Sequence, residues 1–190
     1  MIIIGITGTL GAGKGTIVDF LVREKGFIHF SVREFLLEKI KKRHLPENRD
    51  SMVFIANDLR KKNSPSYITD QLYDRSVQLG KNAIIESIRT PGEAISLRKK
   101  GKFYLFAVDA EPHKRFNRIK LRNSQTDNID YETFLANEQR EMDSTDPHKQ
   151  NLKKCIEMAD FLFVNNGTIT ELHQKVAEIL VVIENRNPEN

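Results

Sequence analysis

The chain has 190 residues, and its 30 Lys and Arg against 26 Asp and Glu give a formal charge of +4, too small and scattered an excess to indicate a nucleic-acid-binding protein. No apolar run is long enough for a membrane span, and the N-terminal apolar stretch is too short for a signal peptide. The single Cys155 excludes an internal disulfide and, from its apolar neighbours, is expected to be a packed, inert thiol. We expect one cytoplasmic domain, residues 1–190, monomeric or homodimeric.

Short apolar strands alternate with amphipathic helices along the chain. The strands are predicted at residues 2–6, 27–30, 82–86, 103–108 and 161–164. The helices are predicted near Thr16, from Ser31 to Ile40, around Ile55, around Leu72, from Pro91, around Phe116, over Tyr131–Met142 and from Ile169 to Ile183. Residues 41–49 are basic and broken by a proline, which predicts a loop. This alternation predicts an α/β fold: a five-stranded parallel sheet in the order 2-3-1-4-5, with helices on both faces and a lid near residues 122–145.

Residues 8–16, GTLGAGKGT, match the phosphate-binding pattern G-x-x-x-x-G-K-[ST], with one glycine between Lys14 and Thr16. The motif follows a predicted strand and opens a helix, so backbone N–H groups and the helix N-terminus can surround a polyphosphate. Lys14 can reach the β- and γ-phosphates, and the Thr16 hydroxyl lies where such a loop binds Mg²⁺. The residues predicted to bind the nucleotide phosphates are Gly11, Ala12, Gly13, Lys14, Gly15 and Thr16. The sequence therefore predicts a protein that binds ATP.

The segments after the other strands separate the classes of protein that use this loop. No Asn-Lys-x-Asp string is present to read guanine, which argues against a GTPase. An aspartate after four apolar residues, as in motor-type ATPases, is also missing. The third predicted strand instead ends in Glu86, whose carboxylate beside the phosphate loop could hold Mg²⁺-bound water. A small-molecule kinase remains the favoured class.

Several segments resemble one family. Residues 11–16, GAGKGT, resemble the loop of adenylate-kinase-like nucleoside monophosphate kinases, and residues 5–14 are similar to that of dephospho-CoA kinases. Residues 86–89, ESIR, resemble a segment whose arginine, here Arg89, contacts the phosphate of the acceptor. Residues 159–168 resemble the final strand and adenine-side loop, which assigns Asn166, Gly167 and Thr168 to the nucleotide. The resemblance implies a kinase that uses ATP and Mg²⁺, with an acceptor-binding helical insertion at about 31–80.

The acceptor side departs from the family pattern. Monophosphate kinases follow the second strand with Ser-Thr-Gly-Asp and an arginine three residues later, whereas this chain has Ser31, Arg33 and Glu34, with Leu37 at the arginine position. Two explanations stay open: Arg33 replaces that arginine, or the acceptor pocket differs. Dephospho-CoA kinases carry an aspartate in this neighbourhood, for which Glu34 is a loose substitute.

Arginines near the predicted lid are the remaining candidates. Arg115, Arg118 and Arg122 are spaced three and four apart, so a helix places them on one face, where guanidinium groups can neutralise phosphoryl charge. Arg140, on the returning helix, is a further candidate, and Arg115 is expected to belong to a solvated basic face. The predicted catalytic set is Lys14, Arg89, Arg118, Arg122 and Arg140.

Three functions follow from these residues. The first is transfer of the ATP γ-phosphoryl group to a small nucleotide, a nucleoside or deoxynucleoside monophosphate. The second is phosphorylation of a ribose hydroxyl by a dephospho-CoA kinase. The third, from a different class, is an ATP-dependent switch without catalytic activity. The absence of an arginine at position 37, where this chain has Leu37, supports that alternative.

Overall fold

The computed structural model describes residues 1–122 and 129–186. Five parallel strands form one sheet in the order β2-β3-β1-β4-β5, which confirms the order predicted from the sequence. The strands are β1 (Ile3–Gly8), β2 (Ile28–Ser31), β3 (Ala83–Glu86), β4 (Phe103–Asp109) and β5 (Phe161–Val164). β1 lies at the centre, and its Ile4 is in register with Ile84 on one side and Tyr104 on the other. Parallel order places the carboxyl ends of all five strands along one edge of the sheet.

Helices connect the strands and cover both faces of the sheet. They are α1 (Lys14–Lys25), α2 (Val32–Lys42), α3 (Arg49–Lys62), α4 (Tyr67–Leu79), α5 (Pro91–Lys100), α6 (Pro112–Arg122), α7 (Tyr131–Met142), α8 (Leu152–Glu157) and α9 (Ile169–Arg186). The short helix α8 was not predicted from the sequence, because its six residues do not establish a periodic pattern. Within residues 1–122 and 129–186, no helix is both long and apolar enough to cross a membrane.

Two apolar cores lie on opposite faces of the sheet. One packs α2, α3, α4, α5 and α8 against one face, and the other packs α1 and α9 against the opposite face. Cys155 is buried in the first core, where burial raises the pKa of its thiol to about 12, so the predicted inert thiol is confirmed. Because α2, α3 and α4 all lie between β2 and β3, the first core brings this helical segment to the carboxyl edge of the sheet.

Helix caps fix where the connecting segments turn. The Ser31 hydroxyl caps α2 by accepting the N–H of Glu34, and the Asn48 side chain caps α3 by accepting the N–H of Ser51. The predicted loop at 41–49 is therefore shorter, because α2 continues to Lys42 and α3 already begins at Arg49. Thr90 begins α5 with a reciprocal capping box, in which its hydroxyl accepts the N–H of Glu93 and the Glu93 side chain accepts the N–H of Thr90.

Candidate active site

The phosphate loop between β1 and α1 has a backbone that only glycine accommodates. Gly11 and Gly13 have φ angles of 78° and 109°, in the left-handed region. A Cβ at Gly13 would lie 2.3 Å from Asn165 Nδ2, and one at Gly11 would lie 2.4 Å from the carbonyl oxygen of Arg115. Gly13 caps α1 without a side-chain hydrogen bond, which leaves the first N–H groups of the helix available to an anion.

Gly15 is a glycine for a different reason. Apart from its chain neighbours and its own helix backbone, no atom of the described residues lies within 4 Å of a Cβ built there, and Gly15 lines the cavity beside the loop. Steric crowding within the described part of the chain therefore does not account for a glycine at this position.

A cavity of about 680 Å³ opens at the carboxyl edge of the sheet. Its wall includes the phosphate loop and residues from α2, α3, α6, the segment after β3 and the segment after β5. Among the described residues, the basic side chains that line it are Lys14, Arg33, Arg49, Arg60, Arg89, Arg118 and Arg122, and the acidic ones are Asp19, Glu86 and Glu141. Cations exceed anions in this wall, so the cavity suits a ligand with several negative charges.

Lys14 lies at the base of the cavity. Its Nζ donates hydrogen bonds to the carbonyl oxygens of Gly8 at 3.0 Å and Thr9 at 2.8 Å. Burial, together with the charge of Arg89, lowers the pKa of Lys14 to about 7. This electrostatic effect of Arg89 means that the phosphate loop and the segment after β3 act on the same region of the cavity.

Glu86 ends β3 and faces the cavity from beside the phosphate loop. Its Oε2 lies 3.1 Å from Nε2 of His29 on the neighbouring strand β2. Burial disfavours its charged form, but the hydrogen bond from His29 and the charge of Lys14 outweigh burial and lower the pKa of Glu86. Glu86 is therefore an ionised carboxylate at neutral pH.

The donor set at the phosphate loop fits Mg²⁺ that enters with a nucleotide. The Thr16 hydroxyl and the ionised Glu86 carboxylate line the same cavity, and both present the hard oxygen atoms that Mg²⁺ prefers. Across residues 1–122 and 129–186, no three His, Cys, Asp or Glu side chains form a metal-binding group. Mg²⁺ that binds together with a nucleotide takes most of its ligands from water and substrate phosphates.

Arg89 follows β3 and is held on both its backbone and its side chain. Its N–H donates to Glu93 Oε2 at 2.8 Å, and its carbonyl oxygen accepts the N–H of Asn151 at 2.8 Å. Its Nη1 donates to Glu141 Oε2 at 2.6 Å and to Gln150 Oε1 at 3.1 Å. The guanidinium is therefore positioned in the cavity before any ligand binds.

Glu141, near the end of α7, binds two arginines with one carboxylate. Arg89 donates to Oε2, and Arg49, the first residue of α3, donates to Oε1. Burial opposes ionisation of Glu141, yet the charges of Arg89 and Arg49 lower its pKa. Glu141 is 7% exposed, so the three side chains form a partly desolvated charged group in the cavity wall.

Arg60, on α3, is the most deeply buried cation of this wall. It is 1% exposed and donates to Glu93 Oε1 from Nη2 at 2.8 Å and from Nε at 3.2 Å. Its Nη1 is buried and has no hydrogen-bond partner in the described part of the chain. The Arg60–Glu93 ion pair supports the segment that carries Arg89, because Glu93 Oε2 accepts the N–H groups of Arg89 and Thr90.

Helix α6 and the segment after β5 form one end of the cavity, which we call the nucleotide end. Arg118 Nη2 donates to the carbonyl oxygen of Asn165 at 2.9 Å, and Asn165 Nδ2 donates to the carbonyl oxygen of Ala12 at 2.8 Å. Arg118 Nη1 is buried, with no partner among residues 1–122 and 129–186. Arg118, Arg122 and Gly167 line this end, and residues 123–128 of the predicted lid lie outside the described residues.

Other predicted residues lie away from the cavity. Ser31 and Glu34 form the cap of α2, and neither side chain belongs to the cavity wall, although Arg33 between them does. Arg140 also lies outside it, with Nη1 3.8 Å from Asp50.

Residues around α6 and the last loop are held by contacts within the protein. The Asn166 side chain accepts the N–H of Glu111. Thr168 donates its N–H to the Glu171 carboxylate, and its hydroxyl accepts the N–H of Glu171. The expectation that Arg115 is solvated is wrong, because Arg115 is 2% exposed and forms a two-pronged ion pair with Glu138.

The cavity residues that were not predicted from the sequence include Arg49, Arg60, Glu141 and Gln150. Arg49 had a usable signal, because Asn48 followed by Asp50 is typical of a helix start and would have ended the predicted loop earlier. The other three had no such signal, because a charged or polar residue on a predicted helix or in a loop is expected to be solvated.

Comparisons with known proteins agree with this architecture. The chain is 28% identical to the UPF0200 protein MJ1399 of Methanocaldococcus jannaschii over 193 residues, which covers 97% of this chain and 92% of that protein. A gluconokinase from Sinorhizobium meliloti superposes with a TM-score of 0.60 at 12% identity, over 97% of this chain and 94% of that one. A shikimate kinase from Bacteroides thetaiotaomicron superposes with a TM-score of 0.57 at 13% identity, over 94% of this chain and 98% of that one.

These structural likenesses show a P-loop kinase fold. Residues 4–146 match the sequence family described as an AAA domain (AAA_18), a stretch that includes the phosphate loop, Glu86, Arg89 and Glu141. The chain therefore belongs to this AAA-domain family, with a P-loop kinase fold.

Proposed function

We propose that this protein is a phosphotransferase that moves the γ-phosphoryl group of ATP, bound with Mg²⁺, to the phosphate of a small nucleotide, a nucleoside or deoxynucleoside monophosphate. The observation that carries the proposal is a single cavity with the phosphate loop and Lys14 at its base and the arginines Arg89 and Arg49 in the same wall. A phosphoryl donor and an anionic acceptor bound there would meet near Lys14.

Two of the three carboxylates in the cavity wall, Glu86 and Glu141, are poorly suited to serve as the base that a hydroxyl acceptor requires. A hydroxyl must lose a proton during transfer, so its catalyst needs a base whose pKa lies near the working pH. Glu86 and Glu141 both have lowered pKa values and are engaged by His29 and by two arginines, which makes them weak bases. A phosphate oxygen is already anionic at neutral pH and needs no such base.

The same reasoning makes dephospho-CoA a weaker candidate. The residue that would serve as base for its ribose hydroxyl, Glu34, is exposed and does not line the cavity. The gluconokinase and shikimate kinase of similar fold are named for hydroxyl-bearing acids, so such acceptors belong in the test.

Each residue has a defined task in this proposal. The N–H groups at the start of α1 and the Lys14 ammonium bind the β- and γ-phosphates. Thr16 and Glu86 would hold Mg²⁺, which supplies positive charge to the phosphate oxygens when it is bound. Arg118 and Arg122 contact the nucleotide end of the cavity, and Arg89 orients the acceptor. Catalysis is then positioning and charge neutralisation, without a covalent intermediate.

The test is a transfer assay with radiolabelled γ-phosphate ATP and a panel of acceptors. The panel contains ribo- and deoxyribonucleoside monophosphates, dephospho-CoA, gluconate and shikimate, with Lys14→Ala as the inactive control. We expect label in one or more monophosphates. Turnover of dephospho-CoA, gluconate or shikimate alone would overturn the phosphate acceptor, and ATP binding without any transfer would indicate a nucleotide-dependent switch.

A further inference from the structure

Glu141 and its two arginines form a complete oxyanion-binding arrangement inside the cavity. The two carboxylate oxygens are each bound by a different guanidinium, Arg89 on one oxygen at 2.6 Å and Arg49 on the other. These arginines come from separate parts of the chain, the segment after β3 and the start of α3. Two guanidinium groups that converge on one planar anion also suit two oxygens of a phosphate.

Groups other than Glu141 hold Arg89 and the backbone of Arg49. Arg89 is fixed at its N–H by Glu93, at its carbonyl oxygen by Asn151 and at its Nη1 by Gln150. Arg49 lies in the first turn of a helix that the Asn48 side chain caps, while its Nε is buried without a hydrogen-bond partner in the described part of the chain. Removal of the Glu141 carboxylate would therefore leave the Arg89 guanidinium near its present position and the Arg49 guanidinium in need of another anion.

The position of Glu141 in α7 lets its carboxylate leave while the helix stays attached. One turn earlier, Glu138 pairs with the buried Arg115, and Phe134 packs with Phe116 and Tyr131. Glu141 is the penultimate residue of the helix, and the chain becomes extended at Asp143. The Glu141 carboxylate therefore lies at the end of the helix, beyond the contacts that attach α7 to α6.

We propose that the Glu141 carboxylate is an internal surrogate for the phosphate of the acceptor, and that it occupies Arg49 and Arg89 until the acceptor displaces it. This inference rests on the proposed function, because it assumes that the acceptor binds Arg89. It also gives Arg49 the role of second acceptor-binding residue, from a different helix than the one that carries Leu37. A phosphate dianion has more charge and more oxygens than a carboxylate, so it competes well for two arginines.

The surrogate has a consequence for specificity. A ligand at this site must replace an ion pair that is already made, so weakly charged molecules gain little by entering. Glu141 thereby disfavours neutral acceptors and lowers the affinity for correct ones by the same competition.

The test measures binding of inorganic phosphate by calorimetry while β,γ-imido-ATP and Mg²⁺ saturate the phosphate loop. In Glu141→Gln the competing charge is gone, and we expect phosphate to bind about tenfold more tightly or better than in the wild-type protein. Unchanged or weaker binding would overturn the proposal, because Glu141 would then only orient the arginines. Glu141→Ala provides the same test if the amide variant does not fold.

Two further variants complete the design. Glu138→Gln removes an ion pair from the same helix without touching Arg89, so its phosphate affinity should equal that of the wild-type protein; an equal gain there would show general loosening of α7 and contradict the surrogate. Arg89→Gln should lose phosphate binding. If phosphate still binds to Arg89→Gln, the acceptor site of the proposed function fails and the surrogate with it. If Arg89→Gln loses binding while Glu141→Gln gains none, the surrogate alone fails.

Discussion

Arg60 and Glu93 form an ion pair in the protein interior, with Arg60 Nη2 2.8 Å from Glu93 Oε1 and the two side chains 1% and 0% exposed. The same glutamate accepts the N–H groups of Arg89 at 2.8 Å and Thr90 at 3.0 Å. One buried carboxylate therefore connects α3, the start of α5 and the backbone of the proposed acceptor-binding arginine. This connection explains how a short segment after β3 keeps a fixed shape.

Glu93→Gln should destabilise the fold strongly, because it leaves the Arg60 charge buried without its counter-ion. Removal of one partner of a buried ion pair costs about 3–5 kcal/mol in the free energy of unfolding, measured by urea denaturation. The matched control is Glu38→Gln, which removes an exposed pair with Arg75 and should change stability by less than about 1 kcal/mol. Equal effects of the two substitutions would contradict this role of Glu93.

The affinity for a nucleoside triphosphate should fall as the pH rises above neutrality. Burial and the charge of Arg89 lower the pKa of Lys14 to about 7 in the free protein, whereas a bound triphosphate stabilises the ammonium form and raises that pKa. Above pH 7 the free protein has lost this proton and must take it up on binding, so affinity decreases by up to about tenfold per pH unit.

Calorimetry of β,γ-imido-ATP binding between pH 7.5 and 9, in two buffers of different ionisation enthalpy, measures both the affinity and the proton uptake. Lys14→Arg is the control, because its guanidinium stays charged throughout and its binding should not depend on pH over this range. Release of protons on binding, or wild-type affinity that increases with pH, would refute the expected state of Lys14.

Ser87 follows Glu86 in the cavity wall. Its φ is 70°, in the left-handed region that serine rarely adopts. Ser87→Gly should relieve this strain and leave the protein as stable or more stable, by up to about 1 kcal/mol. Ser87→Val, whose branched side chain tolerates this backbone poorly, should lose about 2 kcal/mol. Thermal denaturation of both variants measures the difference, and a more stable valine variant would argue against strain at this position.

The sequence was sufficient for the sheet, the phosphate loop and the placement of Arg89. Strand and helix periods alternate clearly, and the right-handed crossover rule then restricts the strand order, so β2-β3-β1-β4-β5 could be predicted. Thr90-Pro91 marked the start of α5, which fixed the position of Arg89 just before a helix. These features depend on neighbours in the sequence.

The rest of the site depends on contacts between distant residues. Arg49 and Glu141 are separated by 92 positions and Arg60 and Glu93 by 33, and no local pattern pairs them. Arg115 illustrates the same difficulty, since it is buried by contacts with Glu138 and Phe134 of α7 and with the carbonyl oxygens of Leu10 and Ala110. Arginines that look alike along a helix thus separate into buried, cavity-lining and exposed groups only when the partner helix is known.

The kinetics of Arg89→Lys test the central claim most directly, namely that one cavity holds a donor site at Lys14 and an acceptor site at Arg89. The substitution keeps the charge but loses the planar, multi-pronged grip of the guanidinium, so kcat/KM for the acceptor should fall roughly ten- to a hundredfold. The affinity for β,γ-imido-ATP, measured on the same variant, should stay close to the wild-type value. An equal loss in both affinities would place Arg89 in the donor site and contradict the account.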